Sequence, residues 1–385
     1  MVAPAPATVL FVPARVANNR GLLQRFGDLV DRLGLAAVAS DDTVAIKIHF
    51  GDSGTTAHVR PQFARQLVNR VKARGGHPFL TDTCTLYPGR RRNAVQHLEV
   101  ALENGFSYAT VAAPLIIGDG VGSRDVVTVP LEGRHFSSVR YASAVHHADS
   151  LLCISRFKGH LAVGFGGAIK NLSMGLGSRA MKQAMHAAVR PELRDEALCE
   201  ACGDCVEICP EGAIDLEGVA RFDHDRCVGC AECIAICRHG ALRIQWNEQS
   251  QIIQEKMVEV AAAVLAAKPG KVAFYNFLVE VTPDCDCFTW SDNPVVNNVG
   301  ILASTDPVAI DQASVDLFNA QPGLPGSKLG AAGLPPGADK LRELYPKIDW
   351  TRQLAYGEEI GLGTRRYTLV TLEDPSPRKP TAQGT

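Results

Sequence analysis

The chain has 385 residues, 46% hydrophobic and 21% charged, with a formal net charge of −2. That is ordinary globular composition, long enough for two or three domains, and its charge gives no argument for binding nucleic acid or an anionic membrane. No run of 18 apolar residues occurs, and Met1 to Ala7 is Pro/Ala-rich without a basic segment ahead of an apolar one, so neither a transmembrane helix nor a signal peptide is expected.

Taken in order, Thr8 to Ala14 reads as a strand and Gly21 to Val38 as a helix, from its leucine and valine spacing. Val44 to Phe50 is β-branched and ends at Gly51, a strand entering a loop. Arg60 to Arg74 is an amphipathic helix with Pro61 near its start and Gly75-Gly76 as its stop. His77 to Thr83 is a strand, Asn93 to Asn104 a helix, Thr110 to Ile117 a strand, and Gly118 to Gly133 a glycine-rich stretch that suits a hairpin. Ser137 to Ala148 reads as a helix and Ser150 to Phe157 as a strand. Beyond the cysteine-rich segment, Asn247 to Lys268 is a long helix, and Lys271 to Val281 and Val299 to Ser304 are strands. Asp306-Pro307 opens a helix to Phe318, because aspartate suits the N-cap and proline the first turn. Gln321 to Gly337 is a Pro/Gly-rich loop, followed by two weak helices (Ala338 to Leu344, Trp350 to Glu359) and a last strand, Arg366 to Leu372. The 373–385 tail, rich in Pro, Ser and Thr, is expected to be disordered.

This alternation argues for an α/β fold with a largely parallel sheet layered with helices. Ligands in such sheets sit beyond the carboxyl ends of the strands. The polar residues there are His49, Asp52, Asp82, Lys158 and His160.

Between the two halves lie two copies of C-x2-C-x2-C-x3-C: Cys199, Cys202, Cys205, Cys209 and Cys227, Cys230, Cys233, Cys237. The copies are 28 positions apart, and Ile208/Ile236, Gly212/Gly240 and Ala213/Ala241 repeat with them, which marks a duplication. The spacing is that of bacterial ferredoxins holding two 4Fe–4S clusters, in which the fourth cysteine of each run serves the other cluster. One cluster is therefore expected on Cys199, Cys202, Cys205 and Cys237, the other on Cys227, Cys230, Cys233 and Cys209. Zinc would need only four ligands, in separated pairs, and disulfides an oxidising compartment. Eight thiolate ligands favour a cytoplasmic location. The expected layout is an α/β domain over 8–195 and 246–372, interrupted at 196–245 by a small α+β two-cluster ferredoxin domain.

Phe157 to Gly177 (FKGHLAVGFGGAIKNLSMGLG) carries six glycines. It suits either close backbone packing against the inserted domain or an anion held by Lys158, Lys170 and backbone amides. It is not a P-loop, and Gly175-x-Gly177-x-x-Ala180 fits a dinucleotide fingerprint only loosely, without a preceding strand. In Asp284-Cys285-Asp286-Cys287, an extended chain would put both thiols on one face and both carboxylates on the other. The thiols are either a reactive or metal-binding pair or small apolar core residues. Cys153 reads as core; Cys84 stays open.

The chain resembles domain-of-unknown-function family number 362, the uncharacterised Fe–S centre proteins. The resemblance is carried by Lys47 to Gly51, Thr55 to Pro61, Phe79 to Thr83, Lys158 to His160, Gly164 to Met174, Asp284 to Cys287 and Gly300 to Asp311. It implies a single interrupted α/β domain with an iron–sulfur redox role and names no substrate. The expected function is electron transfer by two 4Fe–4S clusters to or from a small molecule in the α/β domain. His49, Asp82, Lys158, His160 and Lys170 would hold or protonate that molecule, and Cys285 and Cys287 would be redox or metal ligands. Two other readings stay open: an electron-transfer or assembly subunit that docks a redox partner protein, and a metal-handling or redox-sensing protein.

Overall fold

The computed structural model describes residues 5–16, 19–187, 190–243 and 247–372; the 373–385 tail, expected to be disordered, lies outside them. Among the described residues an eight-stranded sheet forms the centre. Its strands are β1 (Ala7–Pro13), β2 (Thr43–Ile48), β3 (His77–Asp82), β4 (Leu115–Ile117), β5 (Ser150–Arg156), β6 (Val272–Leu278), β7 (Gly300–Ser304) and β8 (Tyr367–Thr371), in the order β8-β1-β7-β6-β5-β2-β3-β4. Pairing is parallel from β6 through β5, β2 and β3 to β4, and again between β1 and β8. Only β7 runs against its neighbours, β1 and β6. Strands from both sides of the cysteine-rich segment thus share one sheet.

The sheet is buried on both faces, which is why β2 (TVAIKI) and β5 (SLLCISR) read as nearly continuous apolar runs rather than alternating ones. Successive residues still go to opposite layers. Val9 and Phe11 join a core with Leu172, Val258, Val260 and Ile310, whereas Leu10 and Val12 join another with Phe26, Val30, Leu67 and Val71. The first core is roofed by the helices Ala168–Ser173, Ser250–Ala266 and Pro307–Asn319, the second by Leu22–Leu33 and Pro61–Ala73. Asp306 caps its helix as expected, accepting from the amides of Val308 and Ala309 at 2.9 Å each.

Two expected elements fail locally. Thr110 to Ile117 is a short helix, Tyr108–Val111, before the strand Leu115–Ile117; Ser107 and Thr110 form a capping box that starts the helix. Ser137 to Ala148 is helical only over Ser143–His147, because Ser138–Ala142 pairs as a hairpin with Val126–Pro130. There Val139 and Tyr141 are buried on one face, a period of two that outweighs the helical spacing.

Residues 190–243 build no strand of the central sheet. They form two short helices, Asp204–Ile208 and Glu232–Ile236, and two small strand pairs, Ile214–Leu216 with Ala220–Phe222 and Glu192–Leu193 with Leu242–Arg243. The second pair brings the two ends of the segment side by side, so the chain leaves and re-enters the α/β layers at one place.

Candidate functional site

The carboxyl ends of the parallel strands open onto a cavity of about 640 Å³. Its wall draws on His49 after β2, Asp82 and Thr83 at the end of β3, Lys158 and His160 after β5, Lys170 and Asn171 on the helix Ala168–Ser173, and Cys285 and Cys287 after β6. The five residues expected to hold or protonate a substrate (His49, Asp82, Lys158, His160, Lys170) and the two expected as redox or metal ligands (Cys285, Cys287) all lie on this one wall.

Asp82 is buried and stands 3.0 Å from Lys47 Nζ, itself fully buried. Burial opposes ionisation of Asp82, but Lys47, His49 and His97 hold its carboxyl well below the usual range. Lys47 also donates to Asn171 Oδ1 at 2.7 Å, and Asn171 Nδ2 donates to the Ile154 carbonyl and Ser155 Oγ, so the amide is oriented from both ends. His49 accepts the Gly51 amide on Nδ1 at 2.9 Å and lies 3.2 Å from Arg91 through Nε2; burial and that guanidinium push its pKa down. His160 accepts the Ala162 amide and is likewise held neutral by burial and by Lys170. Lys182 donates to Thr83 Oγ1 and to the Cys84 carbonyl, and burial lowers its pKa to about 8.

Asp284 to Cys287 is a turn, not extended chain: the Phe288 amide donates to the Cys285 carbonyl at 3.1 Å. Asp286 points into the protein, where Arg156 donates to Oδ1 at 2.6 and 3.1 Å and Lys158 lies 3.4 Å from Oδ2. Asp284 goes elsewhere, to Lys328 at 3.3 Å. Both thiols face the cavity, and Lys170 Nζ is 3.7 Å from Cys285 Sγ. A hydrogen bond from Cys287, supported by Lys170 and Lys158, draws the Cys285 thiol well down, while Cys287 as donor is pushed up.

The glycines before the cysteine segment serve close packing inside the α/β layers, not against residues 190–243. A Cβ on Gly175 would meet Lys47 Nζ at 2.8 Å, and one on Gly159 would meet the Pro283 carbonyl. The amides of Ala168 and Ile169 are taken by Asp311, at 2.7 and 3.0 Å, so the anion expected on backbone amides finds these two occupied. Cys84 and Cys153 are core: burial pushes both thiols up, Cys153 to about 12.

In residues 190–243 the cysteines line two further small cavities. Cys199, Cys202, Cys205 and Cys237 border one; Cys209, Cys227, Cys230 and Cys233 border the other. The backbone around them repeats with the sequence. Left-handed φ values occur at Ala201 and Gly203, at Gly229 and Ala231, and at Gly212 and Gly240. For the two alanines that conformation costs roughly 1 kcal/mol or more each, a strain characteristic of ligand-clamping turns. The Ala213 amide points at Cys209 Sγ (3.3 Å) and the Gly229 amide at Cys227 Sγ (3.4 Å). Among the described residues, no three His, Cys, Asp or Glu side chains gather around a position for a single metal ion.

The two regions meet at Leu86 and Tyr87. Both line the large cavity, and both pack in one apolar cluster with Cys205 and Cys233. Arg179, nearly fully buried, ties the same seam: it donates to the Thr85 carbonyl and to Glu232 Oε2 at 2.9 Å, and Glu232 lies between Cys230 and Cys233. Sequence reasoning missed this seam, and it missed Lys47, Tyr87, Arg91, Lys182 and His186 on or behind the cavity wall. Lys47 had a signal, being a lone cation inside an apolar strand, which needs a partner. Nothing in Gly89-Arg90-Arg91-Arg92 tells which arginine turns inward; Arg91 does, donating to Asp52 at 2.9 Å and to the Tyr87 hydroxyl at 2.8 Å.

Fold and site define an α/β protein with a cavity beyond the carboxyl ends of its parallel strands and a cysteine-rich segment against its wall. The chain belongs to the family described as Domain of unknown function (DUF362), whose model matches residues 44–316. No curated protein matches the sequence. Among solved structures, the lactate racemase apoprotein from Thermoanaerobacterium thermosaccharolyticum is similar with a TM-score of 0.41 at 12% identity, over 83% of this chain and 59% of that one. A protein from Thermotoga maritima is similar with a TM-score of 0.38 at 10% identity, over 69% of this chain and 51% of that one. This chain thus spans little more than half the length of either. No helix among the described residues is long and apolar enough to cross a membrane.

Proposed function

We propose that this protein carries two 4Fe–4S clusters and exchanges electrons with a small molecule held in the large cavity. Cys199, Cys202, Cys205 and Cys237 would hold one cluster; Cys227, Cys230, Cys233 and Cys209 the other. The observation that carries the reading is the division of eight cysteines into two cavities, four to each, with the last cysteine of each run crossing to the other set. The repeated left-handed turns and the amide-to-sulfur contacts fit a thiolate cradle. A 4Fe–4S cluster, when bound, gives or takes one electron at a time.

The α/β residues supply the rest. Lys158 and Lys170 place positive charge at the cavity, while His49 and His160 are kept neutral and so serve as hydrogen-bonding groups rather than cations. Asp82, fixed by Lys47, orients a donor on the ligand. Leu86 and Tyr87 line the cavity and also pack with Cys205 and Cys233, which sets the ligand's place against the cysteine segment.

Anaerobic purification with iron and acid-labile sulfide analysis tests this: about eight of each per chain are expected, with a reduced-cluster paramagnetic resonance signal. Cys233→Ser should halve the iron. Zinc at the cysteines, or iron content unaffected by Cys233→Ser, removes the reading. A second reading, a docked redox partner protein, is favoured by the exposed Leu198, Leu216 and Val228, which line the two cysteine cavities. It predicts that Leu216→Asp with Val228→Asp slows electron delivery by a ferredoxin-class donor, without changing iron content.

A further inference from the structure

The turn at Cys285 to Phe288 is built so that two thiols share one face. Asp286, between them, is 1% exposed and locked inward by Arg156 and Lys158. That anchor forces residues 285 and 287 the other way, onto the cavity wall. The Cys287 carbonyl is held by the Tyr87 hydroxyl at 3.2 Å, and Cys285 Sγ has the Lys170 ammonium at 3.7 Å. The two differ in state: Cys285 favours the thiolate, Cys287 the thiol that donates to it. Among the described residues no third His, Cys, Asp or Glu joins them around a metal position. Of the cations on the cavity wall, Arg91 and Lys158 are paired behind it with Asp52 and Asp286, and the wall's one carboxylate, Asp82, is engaged by Lys47; Lys170 and Lys182 are in no ion pair among the described residues.

We propose that Cys285 and Cys287 are a redox-active dithiol that reduces a small anionic disulfide bound in this cavity. The Cys285 thiolate attacks one sulfur of the ligand; the ligand S–S bond breaks and one thiolate leaves. Cys287 then attacks Cys285 Sγ, its proton passing to the departing thiolate. The protein S–S bond forms, and the second half of the ligand is released. Two electrons have moved from the dithiol to the ligand, which leaves as one thiol and one thiolate. Returning the pair to its first state takes two electrons and one proton; this half alone rests on the cluster reading, whose one-electron centres would supply the electrons singly. The wall's cations select for a carboxylate-bearing ligand, and Lys170 lowers the cost of the attacking thiolate.

The test uses the full chain, purified anaerobically, with 5,5′-dithiobis(2-nitrobenzoate), an anionic aryl disulfide. The pair should release two thionitrobenzoate ions, and the peptide holding both residues should be recovered lighter by two hydrogens. Cys287→Ser should release one and retain the aryl adduct on Cys285. Lys170→Met should slow release about tenfold and move its pH midpoint up by about one unit. Recovery of Cys285 and Cys287 as free thiols after exposure overturns the proposal, as does an adduct on Cys287 instead of Cys285. Iron and sulfide are measured on the same sample. Full iron with an unreactive pair overturns the dithiol alone; a reactive pair without iron leaves the dithiol standing and overturns the cluster reading.

Discussion

The cavity and the cysteine segment are opposite solutions to holding reactive groups. The cavity gathers residues from segments as distant as His49 and Cys287, and nearly every polar group there is buried and paired with another. The cysteine segment packs its eight cysteines into fewer than 40 consecutive residues, on short turns over a core of a few side chains such as Ile214, Ala220, Ile234 and Leu242. The first is rigid because a large two-faced sheet lies beneath it. The second rests on a much smaller apolar cluster, which a bound cofactor would help to hold.

The largest test of this contrast is removal of the iron that the proposed clusters would hold. Chelation should leave β2, β3, β5 and β6 protected from hydrogen exchange, while amides across residues 199–237 exchange about a hundredfold faster or more. Equal loss of protection in both regions would mean that the sheet depends on the segment, and the contrast would fail. Next comes Asp286→Ala. It leaves the buried Arg156 guanidinium without its carboxylate partner, which costs about 3–5 kcal/mol. The denaturant midpoint should fall accordingly, with no change in the iron content of the folded protein.

The same contrast decides what could be read from the sequence. The cysteine repeat is local, so its ligand spacing and its duplication are visible in one line of text. The strand ends were legible too: β2 and β3 are apolar runs that stop at polar residues, and His49 and Asp82 follow from that alone. Convergence was not legible. Arg91 and Arg179 reach the site from loop and helix contexts that read as surface. The turn at Asp284 to Cys287 depends on Arg156 lying beneath it, 130 positions earlier in the chain. Long-range partners of this kind leave no periodic trace, whereas the hairpin strand Ser138–Ala142 was misread locally, its period of two being hidden in the helical spacing.

His97 gives the cavity side a pH signature. It is fully buried beside Asp82, 3.6 Å away, and burial brings its pKa down to about 3. The unfolded chain takes up this proton near pH 6.5, the folded one only near pH 3, so the unfolded state binds more protons in between. The site's contribution to stability is therefore complete above pH 6.5 and declines as the pH falls, by roughly 1.4 kcal/mol per unit, until the folded pKa is reached. His97→Leu should flatten the acid limb of a stability–pH profile measured by denaturant titration. An unchanged slope would place the acid sensitivity elsewhere.

The smallest effect should come from the seam itself. Glu232 is half-buried between two cysteines, and burial raises its pKa even though Arg179 and Arg124 work against the rise. Its bond to Arg179 is one of several that guanidinium makes; the Gly122 and Arg92 carbonyls also accept from it. Glu232→Gln keeps an oxygen for Arg179 and removes only the charge, so the global cost should be about 1 kcal/mol. The informative readout is not global stability but hydrogen exchange at Leu86 and Tyr87, which both regions share. If the seam couples the cavity to the cysteine segment, those two amides should exchange several-fold faster in Glu232→Gln while β2 and β5 stay unchanged. If they do not respond, the two regions lie against each other at Leu86 and Tyr87 without communicating through that ion pair.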